Sequence, residues 1–396
     1  MVAIITDVHY RMSLALVRDL GEAGVRVICC ESDLLRDQLS APPLGALSRY
    51  CERHVWLSEN HYLDSLVNLC LEVGEAYSCR PVLLPVGAAT LAAVAAERDR
   101  FDAVSCLLIP TTEQLELFNS KDRLAKLATE HSVPTPESFV RDTDEPVDSF
   151  VKRLSYPCVI KPICGEKLGL SAAQRYQFAD SESEAAAAIL RYSDLAGEDP
   201  VVQRRLMGGG LGLSVLAKDG KILHSICHRR LREYPISGGP SSCCKTEQRD
   251  ELSSYAETLV DVSGFSGLAM FEFKEDLEGN PYLLEVNPRI WGTFPLTRVS
   301  QSGIPYLWFA YAWNAGNATE PVEIPNPNSP KVCKMVFTAT DLISAIGYLR
   351  RGKVSTALAA FCDFLNPKVR DGVFEWRDIR PGIAYFRSLF AKEKRR

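Results

Sequence analysis

Hydrophobic positions in the first hundred residues fall into short unbroken runs separated by amphipathic stretches: VAIITD, SLALVRDLGEAG, VRVICCE, then PVLLPV followed by ATLAAVAAERDRF. Unbroken apolar runs of this length suit strands covered on both faces, while the stretches between them repeat apolar residues at helical spacing. The rhythm predicts β-α-β units in a doubly wound parallel sheet over residues 1 to about 115, with a helix from Met12 to Ala23 closed by Gly24. The first strand-helix turn reads TDVHYRMS, without the G-x-G-x-x-G that lets a backbone approach a dinucleotide pyrophosphate, so a nicotinamide dehydrogenase is disfavoured.

The pattern changes at Asn119. A helix carrying KDRLAKLATEH, the turn SVPTPESF, a strand YPCVIKP and the glycine-containing loop CGEKLGLS come first; PVVQRRLMGGGLGLSVLAKDGKIL then opens a second strand-rich part. There Lys218-Asp219-Gly220-Lys221, between two apolar runs, predicts an antiparallel hairpin. The expected layout is an α/β domain over 1–115, an α+β domain over 116–315 with lobes at about 116–200 and 201–315, and a helical extension over 316–396. In that extension, which turns helical from about Lys331, Ile383, Phe386, Leu389 and Phe390 share one helix face, explained more readily by packing on the body than by membrane or partner binding.

Composition only bounds the function. The 396 residues imply more than one packed unit, and 46% hydrophobic with 24% charged residues is ordinary for a soluble protein. A net charge of -5 supplies no global attraction to nucleic acid. Thirteen cysteines, an odd number with two adjacent doublets and no C-x-x-C, suit buried thiols in a reducing, cytoplasmic setting better than disulfides. No basic segment precedes the first apolar run, and no run is long enough to span a bilayer.

The chemistry concentrates in LAMFEFKEDLEGNPYLLEVNPRIWG. Two strands, about Leu268 to Lys274 and Tyr282 to Asn287, flank a polar turn, and strand alternation brings Glu272 and Glu285 to one face together with Asn287. Like charges opposed across strands are destabilising, so a cation should sit with them. Two carboxylates and an amide oxygen form a hard-oxygen set suited to magnesium, with manganese as the alternative, and Arg289 follows where it could neutralise a transferring phosphoryl group. The plainer alternative is a solvated sheet face paired with Lys274 or Arg289.

This segment resembles the metal-binding signature of the ATP-grasp superfamily, and the likeness extends over roughly residues 1 to 315. The resemblance implies that Lys121 in NSKDRLAKLATEH and Lys161 in YPCVIKP are the two ATP-binding lysines, and that Gln203 and Leu206 in VVQRRL approach the adenine. It implies that CGEKLGLS, with Gly165, Lys167 and Gly169, lies where a loop closes over phosphates. CHRRLREYPISGGPSSCCKTE resembles a segment of the carboxylate-amine ligase branch, with Arg229 and Arg230 placed to hold an anionic substrate and His228 as a weaker candidate base. The implied activity is amide formation through an acyl phosphate, releasing ADP and phosphate. Small-molecule carboxylate and amine substrates are implied as partners, with the acceptor unspecified and a homo-oligomer left open. A bicarbonate-using carboxylase and a non-catalytic ATP-binding module are the alternatives.

Overall fold

The computed structural model describes residues 1–39, 41–162, 168, 170, 174, 176–236, 239–326 and 329–393, the last four by backbone only. The chain opens with β1 (Val2–Ile5), α1 (Arg11–Glu22), β2 (Arg26–Ser32), β3 (Cys51–Leu57), α2 (Tyr62–Tyr77), β4 (Val82–Leu84), α3 (Ala88–Ala96) and α4 (Arg98–Asp102). The four strands form a parallel sheet in the order β3-β2-β1-β4. Each strand of the sheet centre is apolar on both faces because helices cover both, as the unbroken runs require. Gly24, at φ +80, takes the left-handed turn just after α1, a conformation that costs a glycine nothing.

Next come α5 (Thr112–Asn119), α6 (Lys121–Glu130), β5 (Ser138–Phe139), α7 (Val147–Phe150), β6 (Cys158–Lys161), β7 (Gln177–Ala179), α8 (Glu182–Ala196) and β8 (Val201–Arg204). β5, β8, β6 and β7 make a four-stranded antiparallel sheet around its own small core. The smaller lobe therefore includes β8 and ends beyond residue 200. Conversely, α6 lies inside the range expected for that lobe and α5 straddles its start, yet both pack on the larger sheet, where Phe118 meets Phe265 and Phe271 edge to face.

The larger part contains β9 (Gly210–Lys218), β10 (Lys221–Glu233), β11 (Ser241–Thr246), α9 (Asp250–Ser263), β12 (Gly267–Glu275), β13 (Pro281–Asn287), α10 (Pro295–Val299) and α11 (Ile304–Gly316). Asp219 and Gly220 both have positive φ, as a two-residue hairpin turn between β9 and β10 demands. Along β12, Ala269, Phe271 and Phe273 enter a core formed with α5, α6 and α9, while Leu268 and Met270 on the other face join the main core shared with the N-terminal sheet. That cover stops after Met270, so the next residue on the same face, Glu272, opens into a cleft.

The C-terminal segment is helical, as expected, but is also woven into the sheets. β14 (Lys334–Val336), α12 (Thr338–Arg350), α13 (Val354–Leu365), β15 (Arg370–Asp371) and α14 (Ile379–Glu393) complete the chain, and β14 and β15 extend the large sheet to seven strands in the order β13-β12-β9-β10-β11-β14-β15. Asp378 accepts hydrogen bonds from Arg18 Nε at 2.9 Å, Ser48 Oγ at 2.7 Å and the Arg49 amide at 2.9 Å, all inside the N-terminal unit. Ala384 and Tyr385 of α14 pack on the main core. Among the described residues no helix is long and apolar enough to cross a membrane, and the described cysteines are unpaired.

Candidate active site

The large sheet and the small sheet face each other across a cavity of about 640 Å³. On one wall Glu272 and Glu285 are direct cross-strand partners. A bulge between Glu272 and Phe273 puts an extra residue, Leu284, into β13, so that Leu283, Leu284 and Glu285 all reach the cavity wall. Asn287 Nδ2 lies 3.4 Å from Glu272 Oε1 and 3.3 Å from Glu285 Oε1, gathering the three oxygen-bearing side chains into one cluster. Burial raises the Glu272 carboxyl above its ordinary range, Arg230 opposes that shift and Glu285 adds to it. The two closely spaced carboxylates fit a divalent cation. Among the described residues no group of three His, Cys, Asp or Glu forms a protein-only metal cage, so a cation held here would complete its shell from the amide, substrate oxygens or water.

Arg230 reaches Glu272 at 2.6 Å from β10, crossing the intervening strand β9. The crossing needs glycine. A Cβ on Gly210 would come within 3.2 Å of Arg230 Cδ, and one on Gly212 within 2.4 Å of the His228 ring. His228 is buried, and burial followed by the Arg230 charge pushes its pKa down to about 3. Its Nε2 lies 3.3 Å from Thr293 Oγ1. The ring is therefore held neutral beside the cluster, and its low basicity makes it a poor proton acceptor near neutral pH.

Arg229, grouped with Arg230 in the sequence reading, points to the opposite face. It makes paired hydrogen bonds to Glu247 at 2.6 and 2.7 Å and to Glu275 at 2.6 and 2.8 Å. Successive strand residues alternate faces, so the adjacent arginines cannot serve one cleft. Arg249 joins the same network through Glu275.

The other wall carries the lysine. Cys158 and Ile160 bury one face of β6, which turns Lys161 into the cavity, where its Nζ donates to Gln203 Oε1 at 3.2 Å. Gln203 is fixed in turn by its own donation to Ser138 Oγ at 2.9 Å. Burial pushes the Lys161 pKa down to about 8, aided by Lys121 and opposed by Glu285. Lys121, the first residue of α6, lines the same cavity. Leu206 does not: it is buried just past β8, 5% exposed, and is absent from the cavity lining. Arg289 is half-buried beside the cluster, donating to Asn287 Oδ1 at 3.2 Å and to the Ile290 carbonyl at 3.0 Å. Gly165, Lys167 and Gly169 lie outside the described residues.

Sequence reasoning offered Lys274, two residues after Glu272 on the same face, only as a charge partner on a solvated sheet; it is part-buried, and burial lowers its pKa. It did not find the Arg141–Asp199 pair, 2.8 Å apart on the cavity lining. That pair joins residues 58 positions apart and carries no local signal.

The family model for ATP-grasp in the biosynthetic pathway with Ter operon matches residues 197–332. The C-terminal section of the carbamoyl phosphate synthase large chain from Methanopyrus kandleri is 23% identical over 204 residues, covering 49% of this chain. That alignment spans 36% of the relative, so the chain corresponds to about a third of its length. The biotin carboxylase domain of Hydrogenobacter thermophilus 2-oxoglutarate carboxylase, solved with MgADP and bicarbonate, superposes with a TM-score of 0.61 at 17% identity, over 84% of this chain and 72% of that one. L-amino acid ligase from Bacillus licheniformis gives 0.51 at 18% identity, over 81% and 74%. Two sheets closing on a cavity and the carboxylate pair on the hairpin agree with these likenesses: residues 197–332 match an ATP-grasp family model, and the fold is that of the ATP-grasp proteins it resembles.

Proposed function

We propose that this protein is an ATP-dependent carboxylate-amine ligase. The observation that carries the reading is the meeting of two chemistries in one cavity: Glu272 and Glu285, bridged by Asn287, on one wall, Lys161 on the other, and Lys121 lining the same space from the start of α6. ATP would enter between the sheets with its phosphates between the lysines and the carboxylate cluster, and its base toward Gln203. Glu272, Glu285 and Asn287 would hold magnesium, or manganese, whose chemistry is to neutralise phosphate oxygens.

Arg230 and Arg289 flank the cluster and supply fixed positive charge to the carboxylate substrate. A carboxylate oxygen attacks the γ-phosphorus, the bond to the β-γ bridging oxygen breaks, and ADP leaves. The amine then attacks the acyl carbon, the acyl-oxygen bond breaks, and phosphate departs with an amide formed. The protein contributes position and charge and no nucleophile of its own.

The test is ADP release screened against pools of carboxylates and amines. Release that needs one member of each pool supports the ligase. Release driven by bicarbonate alone would replace it with a carboxylase, and tight ATP binding without turnover on any pool would replace it with a binding module.

A further inference from the structure

The helical hairpin α12–α13 presents an apolar surface that stays exposed among the described residues. Val354, Leu358, Phe361 and Leu365 recur along one side of α13, and Ile346 and Leu349 lie exposed on α12; all six are 43–77% exposed. The opposite side of α13 is satisfied, since Ala357 and Ala360 pack on Ala345 and Tyr348 with Ile236 beside them. A surface helix ordinarily turns charged residues to water. α13 carries a single charge, Asp363, and that carboxylate is buried, bound by Arg232 and Lys334 at 2.8 Å each.

The surrounding charge has one sign. Between residues 342 and 374 the only acids are Asp363 and Asp371, and Asp371 is occupied by the amides of Thr338, Val373 and Phe374. Exposed Arg350 and Lys353 precede α13, and exposed Lys368 and Arg370 follow it. Lys353 is the residue capping the start of α13 and makes no side-chain cap bond, although the helix dipole there favours an acid. A basic residue at that position, in a chain of net charge -5, runs against local helix stability and against the bulk composition alike.

An uncharged apolar stripe about 17 Å long, from an eleven-residue separation at 1.5 Å per residue, with cations at both ends, matches an anionic lipid surface. We infer that α12–α13 is a peripheral docking face for anionic membranes, the stripe entering the headgroup boundary and Arg350, Lys353, Lys368 and Arg370 meeting lipid phosphates. A second copy of the chain fits less well, because each rim would meet another of its own sign.

Co-sedimentation of the full chain with vesicles tests this, using phosphatidylcholine alone and an equal mixture with phosphatidylglycerol. Binding is expected only to the mixed vesicles and should weaken as salt rises. Leu358→Glu with Phe361→Glu should abolish it, and each of Lys353→Gln and Lys368→Gln should lower the partition coefficient about fivefold. Both apolar positions are exposed, so thermal melting should show the variants folded. Absence of binding to the mixed vesicles would overturn the inference. So would binding that survives Leu358→Glu with Phe361→Glu, or a concentration-dependent dimer that the same change dissolves.

Discussion

Glu272 and Glu285 are opposed on adjacent antiparallel strands, and among the described residues a guanidinium reaches Glu272, that of Arg230 at 2.6 Å, but not Glu285. The second carboxylate is thus left as the more available anion of the pair. In Glu285→Gln the side chain keeps its size and loses its charge, so ADP release should fall about a hundredfold or more at saturating magnesium. Thermal stability should hold or rise slightly, because removing one of two facing like charges relieves repulsion worth at most about 1 kcal/mol. Undiminished turnover would take the pair out of the catalytic cluster.

Burial, and then Lys121, push the Lys161 pKa down to about 8, the state in which it would meet nucleotide. Phosphates beside it favour the charged form, so nucleotide binding should take up a proton as the pH rises through about 8. Affinity is then full below pH 8 and declines above it, by up to tenfold per unit, until the pKa of the bound state is reached. Calorimetric titrations in buffers of different ionisation enthalpy read the uptake directly. Lys161→Ala should weaken ATP binding about tenfold to a hundredfold. Lys126→Ala, at an exposed helical position paired loosely with Glu130, should leave it within about twofold. Equal losses in the two variants would remove the reason to single out Lys161.

Arg289 holds Asn287 Oδ1 while itself lying beside the cluster. If it neutralises charge that develops on the transferring group, its contribution grows toward the transition state. Arg289→Lys keeps the charge and loses the planar fork, so the catalytic rate should drop about a hundredfold, equivalent to about 3 kcal/mol, with ATP affinity nearly constant. ATP titration and amine-dependent ADP formation on one preparation separate the outcomes. A normal rate would remove the acyl-phosphate role, and lost ATP affinity without a rate defect would make Arg289 a ground-state nucleotide ligand.

Arg229 gives the contrasting case. Glu247 and Glu275 hold it on the face away from the cavity, and hydrogen bonds from Arg229 and then Arg249 pull the Glu275 carboxyl down to about 2. Arg229→Ala should cost about 2 to 3 kcal/mol of stability, less than a wholly buried network would, because the arginine keeps about a fifth of its surface in solvent. Turnover per folded molecule should stay normal. Chemical denaturation and ADP release on the same variant check both, and a rate defect without a stability loss would return Arg229 to the catalytic set.

Much of this arrangement is legible along the chain because it is local. The alternation of Phe271, Glu272 and Phe273, the Asp219-Gly220 turn and the apolar run ahead of Lys161 each state which side of a strand faces out. Alternation also separates Arg229 from Arg230, which the sequence reading merged by treating a basic cluster as one surface. What stayed hidden depends on distant segments. Leu206 looks like its neighbour Gln203 in sequence, yet it is buried while Gln203 lines the cavity. Gly210 and Gly212 carry no sign in sequence of what crosses them, whereas their lack of a Cβ lets Arg230 and His228 lie across β9. The strand character of 334–336 and 370–371 is too short to register without the sheet edge it extends.

The bond from Asp378 to Arg18 also sets an order of events during synthesis. Arg18 is buried in α1, and its carboxylate partner is made 360 residues later. Until then the nascent N-terminal unit must either keep that guanidinium in water or bury it without its counter-charge, which is costly. The parallel sheet can therefore form early but cannot settle into its final packing before Asp378 has been made, and a message truncated ahead of codon 378 would yield a chain whose parallel-sheet unit is already defective.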